Sequence, residues 1–146
     1  MDTKILLIGG DLPGVETLKN LVLPGVGSIH IMDHKFVTKR DVGSNFFTPF
    51  ETQGKLRAKV LVQYLSEMNS DVKVFEAIIK DSSEITKEDL TPFTFVIINQ
   101  QAASVIESIA KICEESNIQF IIQKNYGFFG YLRLFSPDHT IIEGKI

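Results

Sequence analysis

The chain has 146 residues, of which 44% are hydrophobic and 23% charged, enough for one domain with its own hydrophobic core. A net charge of -3 argues against general nucleic-acid binding, which needs a basic face. The longest apolar runs are strand-sized, so no membrane span is predicted, and the start "MDTKILLIGG" lacks the features of a signal peptide. A single cysteine excludes an internal disulfide and fits a reducing compartment, so we expect a cytoplasmic or nuclear location.

The first half of the chain alternates strand-like and helix-like segments. Val15, Leu18 and Val22 are spaced as on one face of a helix, which Pro24 and Gly25 end. The predicted elements are, in order, strand "KILLIG", helix "GVETLKNLVLPG", strand "SIHIMD", the irregular stretch "HKFVTKRDVGSNFFTPFET", helix "QGKLRAKVLVQYLSEMN" with Val60, Tyr64 and Met68 on one face, and strand "DVKVFEAII".

The alternation continues to about residue 124, after which strands follow strands. The later elements are the short helix or loop "SSEITKEDLTPF", strand "FTFVIINQ", helix "QAASVIESIAKICEESN" with Val105, Ile109 and Ile112 facing inward, strand "IQFIIQ", and a hairpin or meander formed by "FFGYLRLFS" and "HTIIEG". This order predicts one α/β domain over residues 1–146, with a Rossmann-like, doubly wound, mainly parallel sheet and an antiparallel β tail.

The turn after the first strand is where such folds bind phosphate. Glycines there make the turn, let backbone N–H groups approach the anion, and let helix and strand pack. Gly9 and Gly14 meet the turn and packing needs, but the intervening positions do not suit a phosphate. Asp11 adds negative charge, Leu12 adds bulk, and Pro13 removes an N–H donor.

Two interpretations of this turn are possible. It is either a phosphate loop of unusual sequence or a βα turn that no longer binds phosphate, and the residues favour the second. Asp33, at the end of the second strand, lies where a ribose-binding carboxylate is expected. One aspartate at a strand end is weak support, because aspartate also begins loops.

Several motifs together carry a family resemblance. They are "LKNLVLPGVGSIHIMD", "DVGSNFF", "GKLRA", "LSEMNSDV" and "NYGFFGYLR". In this combination and order the chain resembles the adenylation-type half of ubiquitin-like-modifier activating enzymes, the fold shared with the bacterial proteins MoeB and ThiF. The resemblance runs from about Lys4 to Glu143. Within that group the motifs most resemble the non-catalytic regulatory subunits of the neddylation activating enzyme, and next the counterpart half of the SUMO activating enzyme.

The resemblance implies that most ATP-binding groups are missing. The G-x-G-G-x-G loop of active halves falls on Gly9, Asp11, Leu12 and Gly14, so two of four glycines are lost. Other active-half positions also carry different residues: Lys35 at the ribose aspartate, Gly43 and Ser44 at the Asn-Arg pair, Arg57 at a lysine, and Gln100 at the metal-binding aspartate. Mg–ATP needs carboxylates for the metal and cations for the phosphates. We therefore predict no bound cofactor or metal.

No catalytic residue is assigned in this chain. In the family the thioester cysteine lies in a separate domain, and Cys113 falls in a predicted helix beside Ile112. A buried, structural thiol is the expected state of such a cysteine. The three histidines show neither metal-ligand nor triad spacing.

The resemblance implies the role of a non-catalytic half. Such a subunit pairs with an ATP-using catalytic subunit, supports its ATP site, and acts on the ubiquitin-like modifier through the holoenzyme. Relatives continue into larger domains, so we expect this chain to be a fragment or short form of a longer subunit. The trans-acting arginine that regulatory subunits carry upstream of the first strand cannot be assigned here.

Aromatic residues concentrate in "SNFFTPF" and "NYGFFGYLRLF". Because protein interfaces favour aromatic and arginine anchors, we predict partner contacts within this set. The predicted contact residues are Phe46, Phe47, Tyr126, Phe129, Tyr131 and Arg133. The simpler alternative is that half of the aromatic residues fill the domain's own core. Strand alternation predicts Phe129, Tyr131 and Arg133 on one face and Phe128, Leu132 and Leu134 on the other.

Two other functions stay open at this point. One is an active adenylating or nucleotide-binding enzyme. The other is a module that binds a nicotinamide dinucleotide, which is disfavoured because Asp11 and Leu12 crowd the pyrophosphate position.

Overall fold

A computed structural model describes residues 3–77 and 80–142. Its strands form one six-stranded sheet of order β3-β2-β1-β4-β5-β6. The strands are β1 (Lys4–Ile8), β2 (Ser28–Met32), β3 (Lys73–Glu76), β4 (Phe95–Asn99), β5 (Gln119–Tyr126) and β6 (Phe129–Phe135). Neighbours from β3 to β5 are parallel, and β6 is antiparallel to β5. The predicted doubly wound α/β fold with an antiparallel end is confirmed.

Helices cover both faces of the sheet. They are α1 (Leu12–Val22), α2 (Lys39–Ser44), α3 (Arg57–Met68), α4 (Lys87–Leu90) and α5 (Ala103–Glu115). On one face α1 and α3 pack over β1 and β2, burying Val15, Leu18 and Leu61. On the other face α4 and α5 pack over β4 and β5, with Leu90 and Ile109 fully covered. The central strand β1 is buried on both faces, because its side chains point alternately to the two faces and a helical layer covers each face.

The helical faces follow the predicted spacing closely, with one shift. Val15, Leu18 and Val22 of α1 are buried as expected. In α3, Val60 is buried, but Tyr64 and Met68 are only partly covered. The fully buried α3 side chains instead include Leu61 and Leu65. Tyr64 and Met68 therefore lie at the border of the core.

The irregular stretch between β2 and α3 contains more structure than its sequence indicates. It holds α2 and a 3-10 turn over Phe50–Thr52. A single bridge between Phe36 and Leu56 closes the segment into a compact loop. The loop returns the chain to the carboxyl ends of β1 and β2.

The β tail differs from the prediction in its pairing. The "FFGYLRLFS" strand pairs with β5 across a two-residue turn, Gly127-Phe128. Gly127 has φ +57°, which fits a hairpin turn with glycine at its first central position. The expected strand in "HTIIEG" is wrong for residues 139–142, which form no strand, and residues 143–144 lie outside the described ranges. The tail is therefore a hairpin and not a meander.

Within residues 3–77 and 80–142, the helices are all too short or too polar to cross a bilayer.

Candidate functional site

The βα turn after β1 keeps the glycines that the fold requires. Gly9 has φ +94°, and a Cβ there would lie 2.4 Å from the Asn99 carbonyl oxygen. A Cβ on Gly14 would lie 2.6 Å from Asn99 Nδ2 and 2.8 Å from Leu7 Cδ1. Both are closer than real Cβ atoms approach. These two glycines are thus explained by a tight turn and by close packing of α1 on the sheet.

Arg57 fills the space in front of this turn. It is the first residue of α3 and is only 3% exposed. Its Nε donates to Asp33 Oδ2 at 2.5 Å, and its Nη1 donates to Asp11 Oδ1 at 3.1 Å. Asp33, at the carboxyl end of β2, is buried as well. The guanidinium therefore links the turn after β1, which carries Asp11, to the end of β2, which carries Asp33.

A third carboxylate comes from α2. Arg57 Nη1 also donates to Asp41 Oδ1 at 3.1 Å. Asp41 in turn accepts from the Thr38 backbone N–H and hydroxyl, while the Thr38 hydroxyl accepts from the Asp41 N–H. This reciprocal capping box starts α2 and holds its first turn against Arg57. We call Asp11, Asp33, Asp41 and Arg57 the arginine–aspartate cluster.

The backbone groups of the turn are already engaged inside the domain. The Gly10 N–H donates to Asp33 Oδ2 at 2.8 Å. Asn99 Nδ2 donates to the carbonyls of Gly9 and Asp11 at 3.0 and 3.1 Å. In a working phosphate loop, N–H groups such as that of Gly10 point at the ligand. Here the carboxylate of Asp33 takes that place.

The cluster places one guanidinium among three carboxylates, and this arrangement affects the pKa values of its members. Burial alone would lower the pKa of Arg57, but the negative charges of Asp33, Asp11 and Asp41 outweigh it and raise that pKa. Burial opposes the charge of Asp41, yet its hydrogen bonds from Thr38 and the nearby Arg57 lower its pKa. Arg57 Nη2 is buried without a hydrogen-bond partner among the described residues, and so are Asn99 Oδ1, Ser116 Oγ and Gln123 Oε1. Both shifts favour the charged forms of Arg57 and Asp41.

The residues at this turn do not fit a magnesium nucleotide. The cavity between Gly9, Asp33, Lys35, Arg57 and Gln101 has a volume of about 10 Å³, whereas small-molecule pockets usually hold about 300–1,000 Å³. The three carboxylates enclose a guanidinium, so a divalent cation would meet a positive charge at their centre. The side chain of Asp11 is one-third exposed, so its carboxylate lies at the solvent-facing side of the turn. A dinucleotide pyrophosphate would meet the same small cavity and the carboxylate of Asp11.

The remaining positions of the nucleotide comparison serve other contacts. The Lys35 N–H donates to Asp33 Oδ1 at 3.0 Å, and its side chain is exposed. Ser44 Oγ donates to the Arg40 carbonyl at 2.7 Å within α2. Neither side chain reaches into the cluster.

Gln100 connects the end of β4 to the β tail. It has φ 51°, unusual for a residue with a side chain, and its own N–H donates to the Gln123 carbonyl. Its side-chain Nε2 donates to the Asn125 carbonyl at 3.2 Å, and its Oε1 accepts from the Asn125 N–H at 2.5 Å. A side-chain amide can donate and accept at once, which a carboxylate cannot. Gln100 thus extends the β4–β5 ladder beyond the last residue of β4.

The predicted contact residues divide between surface and core. Phe46 is 86% exposed, and the hairpin residues Tyr126, Phe129, Tyr131 and Arg133 are also exposed. Phe47 is 2% exposed and belongs to the core under α1 and α3, so its prediction as a surface contact is wrong. The two phenylalanines are neighbours in sequence, and their rings pack edge to face at 5.6 Å. The turn that buries Phe47 leaves Phe46 outside.

Cys113 is a structural thiol in the described structure. It is fully buried in α5, in the core cluster with Ile109 and Phe120. Burial, with Glu114 nearby, raises the pKa of the Cys113 thiol to about 12. A nucleophilic cysteine needs a lowered pKa and access, and Cys113 has neither.

A larger groove of about 920 Å³ lies at the opposite end of the sheet. It runs past the amino ends of β1, β4 and β5, where Ile5, Phe93 and Ile118 line it. Among the described residues that line the groove, Asp138 is the one with a titratable side chain. Ligands of doubly wound sheets bind at the carboxyl ends of the strands, so the groove and the turn are unrelated.

Comparison with known proteins agrees with this architecture. The model of the ThiF family matches residues 1–143. The chain belongs to the ThiF family. Its relatives include the NEDD8-activating enzyme E1 regulatory subunit of Xenopus laevis, 38% identical over 146 residues that cover 95% of this chain and 26% of that protein. The corresponding subunit of Danio rerio is 34% identical over 142 residues, covering 95% of this chain and 26% of that protein.

A second group of relatives serves another modifier. The SUMO-activating enzyme subunit aos-1 of Caenorhabditis elegans is 33% identical over 136 residues, covering 89% of this ThiF-family chain and 39% of that protein. The chain spans about a quarter of the length of the NEDD8-activating relatives.

Sequence reasoning identified Arg57 only as a partial match to a lysine and did not predict its three partners. The Thr38-x-x-Asp41 pattern is a capping-box signature that could have placed Asp41 at a helix start. No comparable local pattern indicates that Asn99 binds the turn carbonyls. That contact depends on the neighbouring position of β1 and β4.

Proposed function

We propose that this chain is a non-catalytic half of an activating enzyme for a ubiquitin-like modifier and binds no ATP of its own. The observation that carries the proposal is the arginine–aspartate cluster. Arg57 occupies the space before the βα turn and forms ion pairs with Asp11, Asp33 and Asp41. A nucleotide would have to displace buried, charge-assisted hydrogen bonds, which are among the strongest in proteins.

The partner that we propose is an ATP-using catalytic subunit. The names of the relatives support this, since one is a regulatory subunit of a NEDD8-activating enzyme E1 and another is a subunit of a SUMO-activating enzyme. NEDD8 is the favoured modifier, because the relatives of 38% and 34% identity are NEDD8-activating regulatory subunits. The inactive half of a SUMO-activating enzyme is the alternative, supported by the 33% identical subunit aos-1.

Co-expression tests the partner directly. The full chain is produced with the NEDD8-type catalytic subunit and, in parallel, with the SUMO-type catalytic subunit of the same organism. We expect a stable complex on size exclusion with the NEDD8-type subunit and separate peaks with the other. Separation from both subunits would contradict the proposal, and a complex with the SUMO-type subunit alone would reassign the modifier.

An exposed phenylalanine provides a sharper version of this test. Phe46→Ala removes an aromatic side chain that is 86% exposed and is expected to weaken the complex without affecting folding. Leu23→Ala, at the exposed C-terminal end of α1, is the matched control. Equal affinity of both variants would remove Phe46 from the contact set.

A further inference from the structure

The loop between β2 and α3 has the opposite charge from the rest of the chain. Residues 34–59 contain six lysine and arginine residues and two acidic residues, a net charge of +4, whereas the whole chain carries -3. The residues outside this range therefore carry -7 together. We call residues 34–59, which include α2 and the first turn of α3, the basic loop. Charge that is separated in this way on a surface steers a protein toward partners of opposite charge.

Four cations of the basic loop are exposed and have no carboxylate partner in the described ranges. Arg57 is buried in the arginine–aspartate cluster, and Lys35 lies close enough to Asp81 for its charge to act on that carboxylate. Glu51 is the one exposed acidic residue of the loop. The other four lysine and arginine residues form no ion pair with the described residues. They are Lys39, Arg40, Lys55 and Lys59.

Backbone hydrogen bonds bring these cations onto one folded unit. The Val37 N–H donates to the Lys55 carbonyl at 2.8 Å, and the Gly54 N–H donates to the Val37 carbonyl at 2.9 Å. These bonds hold Lys55 beside the segment that leads into α2. The first two residues of α2 are Lys39 and Arg40. Three of the four cations therefore lie on two adjacent segments of the same loop.

Exposed phenylalanines lie on the basic loop as well. Phe36 is 58% exposed, Phe46 86% and Phe50 77%. Phe46 lies just after α2, and Phe50 begins the 3-10 turn that packs against α2. Protein interfaces combine aromatic anchors with a polar, charged rim. The basic loop has both components.

The basic loop is distant from both described ends of the chain. It lies at the carboxyl ends of β1 and β2, where Arg57 contacts the arginine–aspartate cluster. Thr3 and Pro137 instead line the groove at the amino ends of the strands. Neither described end of the chain is therefore a neighbour of the loop.

We propose that the basic loop binds an acidic surface of the ATP-using catalytic subunit, with Phe46 and Phe50 as apolar anchors and the four cations as charged contacts. This inference rests on the proposed function, because it takes the partner from there and adds the place and the chemistry of the contact. A protein surface is favoured over a nucleic acid, because the rest of the chain carries -7 and would repel a phosphate backbone beyond the loop.

Reversal of two loop charges tests the role of the cations. The loop variant is Arg40→Glu with Lys55→Glu. Lys4→Glu with Lys73→Glu is the matched control, because it makes the same change in net charge on exposed lysines at the amino ends of β1 and β3. Circular dichroism checks that both variants are folded, and stopped-flow fluorescence measures their association with the catalytic subunit.

We expect the loop variant to associate about tenfold more slowly than the unmodified chain at low salt, and the control to stay within about twofold of it. The difference should shrink at high salt, because salt screens exposed charges. Phe46→Ala should instead raise the dissociation rate constant, since a packed anchor holds a complex that has already formed.

Two results would overturn the inference and leave the proposed function standing. They are a complex for which the two double variants associate at equal rates, and a complex whose association does not depend on salt. Absence of a complex with either the NEDD8-type or the SUMO-type catalytic subunit would overturn the proposed function and the inference together. Binding of a fluorescent oligouridine probe to the unmodified chain, abolished in the loop variant, would replace the acidic protein surface by a nucleic acid.

Discussion

The arginine–aspartate cluster and the β5–β6 hairpin differ sharply in their chemistry. In the arginine–aspartate cluster three carboxylates engage one buried guanidinium. In the β5–β6 hairpin the side chains of Phe129, Leu132 and Leu134 are apolar and exposed. The first region is held together by ion pairs inside the domain, whereas the second presents apolar side chains at the surface of the described residues. The contrast supports the proposal that this chain works through its surface and binds no nucleotide at its βα turn.

The largest expected effect comes from breaking the cluster at its centre. Arg57→Ala leaves buried Asp33 without a counter-charge, and losing one partner of a buried ion pair typically costs about 3–5 kcal/mol. Arg57→Lys should cost less, because it keeps the charge but loses the planar fork. Urea unfolding measures the change. Lys59→Ala, exposed on the same helix, is the control and should shift the free energy of unfolding by under about 0.5 kcal/mol.

A glycine exchange tests the packing of α1 behind the turn. Gly14→Ala forces a methyl group into Asn99 and Leu7, so we expect a loss of about 1–3 kcal/mol. Gly43→Ala is the matched control, since no atom lies within 4 Å of its added Cβ. In α2 that exchange should be neutral or stabilising by up to about 1 kcal/mol. Equal destabilisation by both exchanges would contradict the close-packing explanation.

Gln100 connects the end of β4 to β5 of the hairpin through its side-chain amide. Gln100→Ala loses both hydrogen bonds to Asn125 and should cost about 1–2 kcal/mol. Hydrogen exchange gives the more specific measurement, because the Asn125 N–H donates to Gln100 and should exchange faster in the variant. The amide of Ile122 faces β6 and should change little. Unaltered exchange at Asn125 would show that the side chain does not hold the hairpin.

The smallest effect is the acid response of Asp41. Its folded-state pKa lies below the ordinary value near 3.9, so its ionised form stabilises the fold above that pH. This contribution is lost as the pH falls through the folded-state pKa. Asp41→Asn should reduce stability at pH 7 and flatten its decline below about pH 4. A variant with an unchanged acid limb would show that Asp41 does not titrate as described.

Much of the fold can be predicted from local sequence patterns, whereas most contacts of the arginine–aspartate cluster cannot. "KILLIG" and "FTFVIINQ" predict buried parallel strands because their apolar residues are continuous, and both are central in the sheet. The partners of Arg57 come from positions 11, 33 and 41, which only the strand order brings together. Residues 139–142 show the limit of propensity, since β-branched isoleucines there form no strand. Phe46 and Phe47 show the same limit, because the local turn, and not the residue type, decides which of the two rings is buried.

The central claim is that the βα turn is closed to nucleotides for several independent reasons. Calorimetry of Mg–ATP with the variant Asp11→Gly, Leu12→Gly tests it most directly, beside the unmodified chain as control. The double exchange restores the two missing glycines but leaves Arg57, Lys35 and Gln100 in place. We predict no binding heat for either protein at millimolar ATP. Micromolar binding by the double variant would contradict the account, because it would mean that only the loop residues separate this chain from a working site.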